Sequence, residues 1–200
     1  DQQVLDLLFE LRREDFVLPQ YRSLAFFDME IPLSANAGED ERMLAPKLEA
    51  RMLQALSVKP SDRVLEIGTG SGYMTALLAR RAAHVTSVEI NPEFSTQAAQ
   101  RLAAHDIRNI TLETGDGARG WARNAPYDAI VLTGSTPVLD PAFQASLNAG
   151  GRLLAIVGDA PAMTAQLINC EAPGVFRSTG LFETCVPPLR NAPQPKRFEF

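Results

Sequence analysis

The stretch Val64–Tyr73 constrains the fold of this chain more than any other segment. It reads Val-Leu-Glu-Ile-Gly-Thr-Gly-Ser-Gly-Tyr, an apolar run followed by glycines at the alternate positions 68, 70 and 72. A buried strand that turns sharply into a helix needs glycines for the tight turn and for the close approach of a ligand to the backbone. The helix behind such a turn presents free N–H groups to that ligand. The stretch therefore predicts a strand, a nucleotide-binding turn and a helix in succession.

The spacing of these glycines separates two kinds of nucleotide site. The dinucleotide-binding pattern G-x-G-x-x-G needs a glycine where this chain has Tyr73. A nicotinamide-dependent dehydrogenase is therefore the weakest interpretation of the loop. The G-x-G-x-G form, with the carboxylate of Glu66 just ahead of it, instead resembles motif I of the methyltransferases that use S-adenosylmethionine (AdoMet).

Composition and charge narrow the class of protein. The 200 residues are 46% hydrophobic and 22% charged, which is ordinary for one globular domain. The net charge of −5 argues against a chain built to grip nucleic acid, which usually carries a basic face. No apolar run approaches the roughly 20 residues that a membrane span needs. Neither nucleic acid nor a membrane is therefore expected as a partner.

The cysteine content points to a reducing compartment. The two cysteines, Cys170 and Cys185, are too few for a disulfide framework and lie in no spacing typical of metal ligands. No signal-peptide pattern is visible in the sequence. We expect reduced thiols, no bound metal and a cytoplasmic location.

Strand and helix patterns alternate through the middle of the chain. Strands are predicted at 63–67, 85–89, 110–114, 128–133 and 152–157, with helices near 73–82, 92–104 and 140–148. Strands that alternate with helices imply parallel βαβ units in one sheet. The predicted fold class is α/β, a Rossmann-like methyltransferase fold with a mostly parallel twisted sheet and helices on both faces.

Less regular segments flank this core. Helical patterns at 3–13 and 47–57 surround a proline-containing stretch of extended segments and loops at 14–46. Two further strands, at 163–170 and 175–186, predict an antiparallel sheet edge, and 187–200 is expected to be a proline-rich extended tail. We expect one domain over 1–200, divided into an N-terminal cap (1–58), a cofactor-binding core (59–158) and the C-terminal strands and tail (159–200).

Three predicted strands end in residues suited to a ligand, which in open α/β sheets lies outside the carboxyl ends of the strands. The carboxylate of Glu89 closes the second strand and could accept hydrogen bonds from both hydroxyls of a ribose. Asp116, between Gly115 and Gly117 after the third strand, could accept one from the amino group of an adenine. Thr133 ends the fourth strand and would line the pocket near the methionine part of a cofactor.

Each of these residues also has a purely structural interpretation. Glu89 alone could cap the helix that Asn91-Pro92-Glu93 begins, and Asp116 alone is a common turn residue. The ordered set of glycine loop, Glu89 and Asp116 on three successive strand ends is hard to produce as structure alone. Together these residues indicate AdoMet as the cofactor.

At this point the chain resembles one family, the protein-L-isoaspartate O-methyltransferases, from about residue 13 to residue 158. The matching segments are Asp15-Phe16-Val17, Ile31-Pro32-Leu33, the whole of Val64–Tyr73, His84–Glu89, Gly115-Asp116-Gly117, Gly120-Trp121, Ala125–Ile130, Leu147 and Gly150-Gly151. The resemblance implies AdoMet as methyl donor, S-adenosylhomocysteine as product, and damaged proteins or peptides as substrates. It implies a cofactor shell of Glu66, Gly68, Gly70, Glu89, Asp116 and Thr133, with Thr69 and Gly117 beside them.

The acceptor side departs from that family. Its members carry Gly-Gln-Thr-Ile-Ser before a proline, and the resemblance implies that the Thr and Ser face the isoaspartyl carboxylate and the methyl group. Aligned on Pro46, Arg42 takes the place of the Thr and Leu44 that of the Ser. Arg42 could anchor the substrate carboxylate through a bidentate contact, or it could be a solvated side chain in the charged run 39–42. Without the hydroxyl pair, we expect weak or absent isoaspartyl turnover unless Arg42 replaces it.

Two interpretations therefore stay open besides the dehydrogenase. In the first, the chain methylates a carboxylate in the manner of isoaspartate repair. In the second, it is a relative that binds AdoMet but has another acceptor, or none.

Overall fold

The computed structural model describes residues 1–195, so the segment Arg197–Phe200, expected to belong to the extended tail, lies outside the described residues. The helices are α1 (Gln2–Glu10), α2 (Pro46–Leu56), α3 (Tyr73–Ala79), α4 (Pro92–Ala104) and α5 (Pro141–Ala145). The strands are β1 (Ile31–Pro32), β2 (Arg42–Met43), β3 (Arg63–Ile67), β4 (His84–Glu89), β5 (Ile110–Thr114), β6 (Tyr127–Thr136), β7 (Leu147–Asp159), β8 (Ala162–Ala172) and β9 (Val175–Thr184). Within this part of the chain, no helix is long and apolar enough to cross a membrane.

Seven strands form one sheet in the order β5-β4-β3-β6-β7-β8-β9. The first five in that order pair in parallel, while β8 and β9 are antiparallel to their neighbours. The chain reverses its direction along the sheet after β5, so the switch point lies between β3 and β6. The predicted Rossmann-like α/β sheet with an antiparallel C-terminal edge is confirmed.

Alternate residues of the central strands face two separate cores. Val64 and Val131 belong to the larger core, which helices α1 to α4 cover, whereas Leu65 and Ile130 belong to a smaller core against Phe143 of α5. Apolar side chains on both faces explain why these strands read as nearly continuous hydrophobic runs. Helices do cover both faces, as predicted, but among the helices of residues 1–195 only α5 contributes to the smaller core.

The predicted element positions hold, with differences at several ends. The helix expected at 140–148 is only Pro141–Ala145, because strand β7 already begins at Leu147. The stretch 14–46 is less extended than expected: it contains a 3₁₀ helix, Pro19–Leu24, and the two-stranded antiparallel ribbon β1–β2. That ribbon brings the charged loop 38–42 back beside the first residues of α2.

The helix predicted at 3–13 ends at Glu10, and the chain then enters a 3₁₀ turn, Arg13–Asp15. Arg13, which the helical pattern places away from the apolar stripe, is in fact buried. Its guanidinium donates to the carbonyls of Ala25 (2.7 Å) and Leu44 (2.6 Å) and pairs with Glu49. Burial lowers the pKa of Arg13 to about 10, so it stays charged at neutral pH. One buried side chain therefore ties α2, the 3₁₀ segments and the end of β2 together.

Candidate active site

A cleft opens over the carboxyl ends of β3, β4, β5 and β6, at the switch point of the sheet. It encloses about 120 Å³ and is closed on one side by the loop 40–44 and on another by residues 187–190. Several of the site residues predicted from the sequence line this cleft: Arg42, Gly68, Gly70, Glu89, Asp116, Gly117 and Thr133. Parallel strands end at the same edge of the sheet, and this is why residues up to 65 positions apart, from Gly68 to Thr133, meet there, whereas Arg42 comes from the separate ribbon β1–β2.

The glycine loop leaves β3 in a conformation that other residues rarely adopt. Gly68 and Gly70 have φ of +96° and +51°. A Cβ on Gly68 would collide with the hydroxyl of Thr133, whose single proton lies within reach of two carbonyls, those of Gly68 (2.6 Å) and Ile67 (3.0 Å). Thr133 therefore fixes the start of the loop against β6, besides lining the cleft.

Glu89 ends β4 with its carboxylate turned towards the glycine loop. Its side chain accepts a hydrogen bond from the backbone N–H of Gly70 (2.8 Å) and another from that of Asn91 (2.9 Å). These two bonds use different oxygens, so each oxygen keeps a lone pair for a ligand donor. The residue is only 6% exposed. Both interpretations of Glu89 thus have a basis in the geometry: the carboxylate organises the loop and the start of α4, and it lines the cleft.

Asp116 follows β5, on an exposed turn one strand further from the glycine loop than Glu89. One carboxylate oxygen accepts from the backbone N–H of Ala118 (3.0 Å), as expected of a turn residue. The other accepts from the side-chain amide of Asn191 (2.9 Å). Gly117 allows this turn to lie close against the sheet, because a Cβ there would come within 2.9 Å of Ile67.

Glu66 lies beneath the glycine loop and does not line the cleft, unlike most of the predicted set. It is fully buried, and one of its oxygens accepts from the hydroxyls of Thr75 (2.5 Å) and Ser87 (2.6 Å). The other oxygen has no hydrogen-bond partner within residues 1–195. Burial raises the pKa of Glu66 to about 8, although the two hydroxyl bonds oppose the shift, and the nearby charge of Glu89 adds to it. Glu66 is therefore mostly neutral at pH 7 and connects β3, α3 and β4 under the loop.

Thr69 is also buried away from the main cleft. Its hydroxyl shares a hydrogen bond with that of Ser87 (2.5 Å). It borders a smaller cavity of about 40 Å³ next to the cleft, together with Arg42, Leu44 and Met74. This cavity lies between the glycine loop and the N-terminal cap, on the side where the sequence places the methyl acceptor.

Arg42 and Leu44 line both the cleft and the smaller cavity. Leu44 is buried and its carbonyl is held by Arg13, whereas Arg42 is exposed. The Arg42 Nε donates to the carbonyl of Glu39 (3.0 Å), and its two terminal nitrogens donate to nothing in the described part of the chain. Burial raises the pKa of Glu30, and the charge of Arg42 partly offsets that shift. A cation therefore stands at the mouth of the cleft beside an apolar side chain.

The sequence analysis missed one part of the cleft, the segment 186–191. Leu189 covers Gly134, the Arg190 guanidinium pairs with Glu41, and Asn191 bonds to Asp116. The pattern Pro187-Pro188-Leu189 gave no chemistry, because proline-rich segments have no periodicity that reports what they pack against. The two prolines follow the hairpin of β8 and β9, and after them the chain returns over the carboxyl ends of the parallel strands.

Comparison with known proteins gives the same family as the sequence motifs. The family described as Protein-L-isoaspartate(D-aspartate) O-methyltransferase matches residues 1–186. A curated relative, "Protein-L-isoaspartate O-methyltransferase 1" of Anaeromyxobacter sp. (strain Fw109-5), is 40% identical over 194 residues, which cover 96% of this chain and 90% of the relative.

Solved structures share the fold along nearly the whole chain. A protein-L-isoaspartate O-methyltransferase matches with a TM-score of 0.81 and 25% identity, and the match covers 94% of this chain but only 61% of that one. A Plasmodium falciparum protein, described as a putative protein-L-isoaspartate O-methyltransferase in complex with S-adenosyl-L-homocysteine, matches with a TM-score of 0.80 and 18% identity over 95% of this chain and 91% of its own. At 18% identity, the second likeness shows the fold alone.

Proposed function

This chain belongs to the protein-L-isoaspartate(D-aspartate) O-methyltransferase family, and from that membership we propose that it methylates the free carboxylate of an isoaspartyl residue in a protein or peptide. The observation that carries the proposal is the placement of Glu89 and Asp116 on the ends of the adjacent strands β4 and β5, next to the glycine loop that follows β3. The proposed cofactor is AdoMet, and damaged proteins or peptides are the proposed substrates.

The residues present fit that cofactor. Glu89 keeps a lone pair on each carboxylate oxygen beside Gly70, which suits two adjacent hydroxyls of a ribose. Asp116 presents the one oxygen that Ala118 does not occupy, which suits the amino group of an adenine. Gly68 and Thr133 form the floor on the side of Glu89 away from Asp116, where the methionine part would lie.

Two predicted residues take a supporting role in this proposal. Glu66 and Thr69 are buried under the loop and bond to Ser87 rather than to the cleft. We assign them to holding the loop in place, so that Gly68 and Gly70 can approach a ligand closely. A ligand contact with Glu66 is not part of the proposal.

When bound, AdoMet supplies an electrophilic methyl group, which a carboxylate oxygen takes to give a methyl ester and S-adenosylhomocysteine. The carboxylate is already ionised at neutral pH, so this chain needs no general base for the transfer. Its task is to hold the anion against the methyl group, and well-oriented reactants gain most from that positioning.

Arg42 is the residue we propose as the anchor for the acceptor. Its terminal nitrogens are available at the mouth of the cleft, and a guanidinium can hold a carboxylate through two parallel hydrogen bonds. Leu44 offers no hydrogen bond in place of the family's serine, so the anchoring falls on Arg42. For the location we propose the cytoplasm, which the free thiols of Cys170 and Cys185 support.

The test is methyl transfer from labelled AdoMet to a peptide that carries one isoaspartyl residue, with the aspartyl peptide of the same sequence as control. We expect methyl ester on the isoaspartyl peptide only. Methylation of both peptides, or of neither, would contradict the proposed acceptor. If neither is methylated while S-adenosylhomocysteine still binds in calorimetry, the chain is a relative with another acceptor or a binding module. If S-adenosylhomocysteine does not bind, the cofactor assignment is wrong as well.

A further inference from the structure

The segment 186–191, which we call the C-terminal strap, is fixed to the sheet at one end. Ser135 of β6 is fully buried and holds it through three hydrogen bonds. The Ser135 hydroxyl donates to the carbonyl of Val186 (3.0 Å), its N–H donates to that of Pro187 (2.9 Å), and its carbonyl accepts from the N–H of Leu189 (2.8 Å). These three hydrogen bonds fix the C-terminal strap against β6, so the strap is an ordered part of the fold.

From this attachment the C-terminal strap crosses the cleft. Leu189 lies so close to Gly134 that a Cβ there would come within 2.9 Å of its side chain. Arg190 pairs with Glu41 of the N-terminal loop, and Asn191 reaches Asp116 on the far side. With the strap seated, the cleft encloses about 120 Å³. Pockets that hold ligands of drug size usually have about 300 Å³ or more, so the enclosed part of the cleft is small for a nucleoside while the strap is seated.

The contact between Asn191 and Asp116 has the chemistry of a ligand contact. A planar NH₂ group donates one hydrogen to a carboxylate oxygen at 2.9 Å. The exocyclic amino group of adenine is a planar NH₂ of the same kind. The Oδ1 oxygen of Asp116 accepts from the N–H of Ala118 and the Oδ2 oxygen accepts from Asn191, so an amino group that approaches Oδ2 from the direction of Asn191 competes with it.

The backbone of Asn191 also suits a turn made for this contact. Its φ is +60°, in the left-handed region that asparagine tolerates better than most residues. The residue is exposed apart from this bond, and the described chain offers its amide no other hydrogen bond.

We propose that Asn191 occupies on Asp116 the place of the adenine amino group, so that cofactor binding displaces Asn191 and loosens the C-terminal strap. The inference rests on the proposed function, since it takes Asp116 as the adenine acceptor. Asn191 then sets the affinity for the cofactor by competing with it. Arg190, which neighbours Asn191, pairs with Glu41, and Glu41 directly precedes Arg42. Displacement of the strap therefore also disturbs the loop 38–42, where we propose that the acceptor binds.

The experiment compares wild type with Asn191→Gly, a change that removes the amide and keeps a residue suited to the positive φ. The matched control is Asp106→Gly, at φ +53° in the turn before β5, at the opposite end of that strand from Asp116. Binding of S-adenosylhomocysteine is measured by calorimetry. A second ligand is its analogue with unsubstituted purine in place of adenine, which lacks the amino group.

We expect Asn191→Gly to bind S-adenosylhomocysteine about two- to tenfold more tightly than wild type, the range expected for one hydrogen bond. The purine analogue should bind both proteins equally, because it does not compete for Asp116, and Asp106→Gly should match wild type. Unchanged or weaker binding of S-adenosylhomocysteine to Asn191→Gly would overturn the inference alone. Equal tightening for both ligands would also overturn it, since the strap would then only obstruct the cleft. Absence of binding in wild type would overturn the proposed function, and the inference with it.

Discussion

The floor and the walls of the cleft are built in different ways. The floor consists of strand ends that are held in register by backbone pairing, from β5 to β6, with the glycine loop above them. The walls, loop 38–44 and the C-terminal strap, also depend on side-chain pairs between residues far apart in sequence, such as Arg190 with Glu41. The floor therefore follows from the topology of the sheet, whereas the walls depend on a few specific pairs. We expect a substitution in the floor and a substitution in a wall to change different quantities: protein stability, cofactor affinity or turnover.

The largest effect is expected from Arg13→Ala, which removes the support of loop 38–44, the wall on which we propose that the acceptor binds and which we call the acceptor wall. The change leaves Glu49 buried and the carbonyl of Leu44 without its donor, and breaking a buried ion pair costs about 3–5 kcal/mol. Urea unfolding measures the loss. The control is Arg12→Ala, since the Arg12 side chain is 66% exposed and pairs only with surface carboxylates. Equal midpoints for the two variants would show that the wall does not depend on Arg13.

A smaller effect is expected from Glu89→Ala, which acts on the floor. We expect S-adenosylhomocysteine to bind more weakly by about 1–3 kcal/mol, because charge-assisted hydrogen bonds to the ribose are lost. Calorimetry gives the affinity. Glu93→Ala serves as the matched control, because Glu93 is an exposed glutamate in the first turn of α4 and does not line the cleft. If both variants bind as wild type does, Glu89 only organises the loop.

The buried carboxyl under the floor predicts a pH effect on stability. The pKa of Glu66 is raised from 4.5 to about 8 in the folded protein, so between these values the folded state holds a proton that the unfolded state has released. Raising the pH through this interval therefore favours unfolding, by up to about 1.4 kcal/mol per pH unit. Below pH 4.5 and above pH 8 the contribution is constant, because both states carry the same charge there.

Glu66→Gln tests this, because the amide keeps an oxygen for Thr75 and Ser87 but cannot ionise. We expect the difference in unfolding free energy between the variant and wild type to grow in favour of the variant from pH 6 to pH 7. Parallel profiles would mean that Glu66 ionises near its ordinary pKa.

The smallest effect is expected from Arg42→Ala, on the acceptor wall. Because Arg42 is exposed, its contact with the acceptor is screened by water, and we expect kcat/KM on an isoaspartyl peptide to fall about three- to tenfold. The affinity for S-adenosylhomocysteine should not change. Arg22→Ala, an exposed arginine of the same N-terminal cap that does not line the cleft, should keep full turnover. An equal loss in both variants would speak for a general charge effect, and no loss in either would remove Arg42 as the anchor.

The sequence predicted the floor well and the walls poorly, for a physical reason. Periodicity reports which face of a local element is buried, and strand ends in a parallel sheet meet at one edge, so the positions of Glu89 and Asp116 could be read from their places in the pattern. Arg13 could not, because its burial depends on partners 12 to 36 residues away that no local pattern reveals. Asn191 was missed for the same reason, since Asp116 lies 75 residues before it. The roles assigned to these residues towards a ligand remain predictions.

The contacts of Arg13 also bear on the order in which the protein assembles during synthesis. All its partners, Ala25, Leu44 and Glu49, precede β3, so the groups of this cross-link leave the ribosome before the first parallel strand. The loops that they close span 12 to 36 residues, whereas pairing β3 with β6 brings together Val64 and Ala129, 65 positions apart. Closing shorter loops costs less chain entropy, so contacts of this range form sooner. The N-terminal segment that forms one wall of the cleft can thus be drawn together while the sheet beneath the glycine loop has yet to be translated.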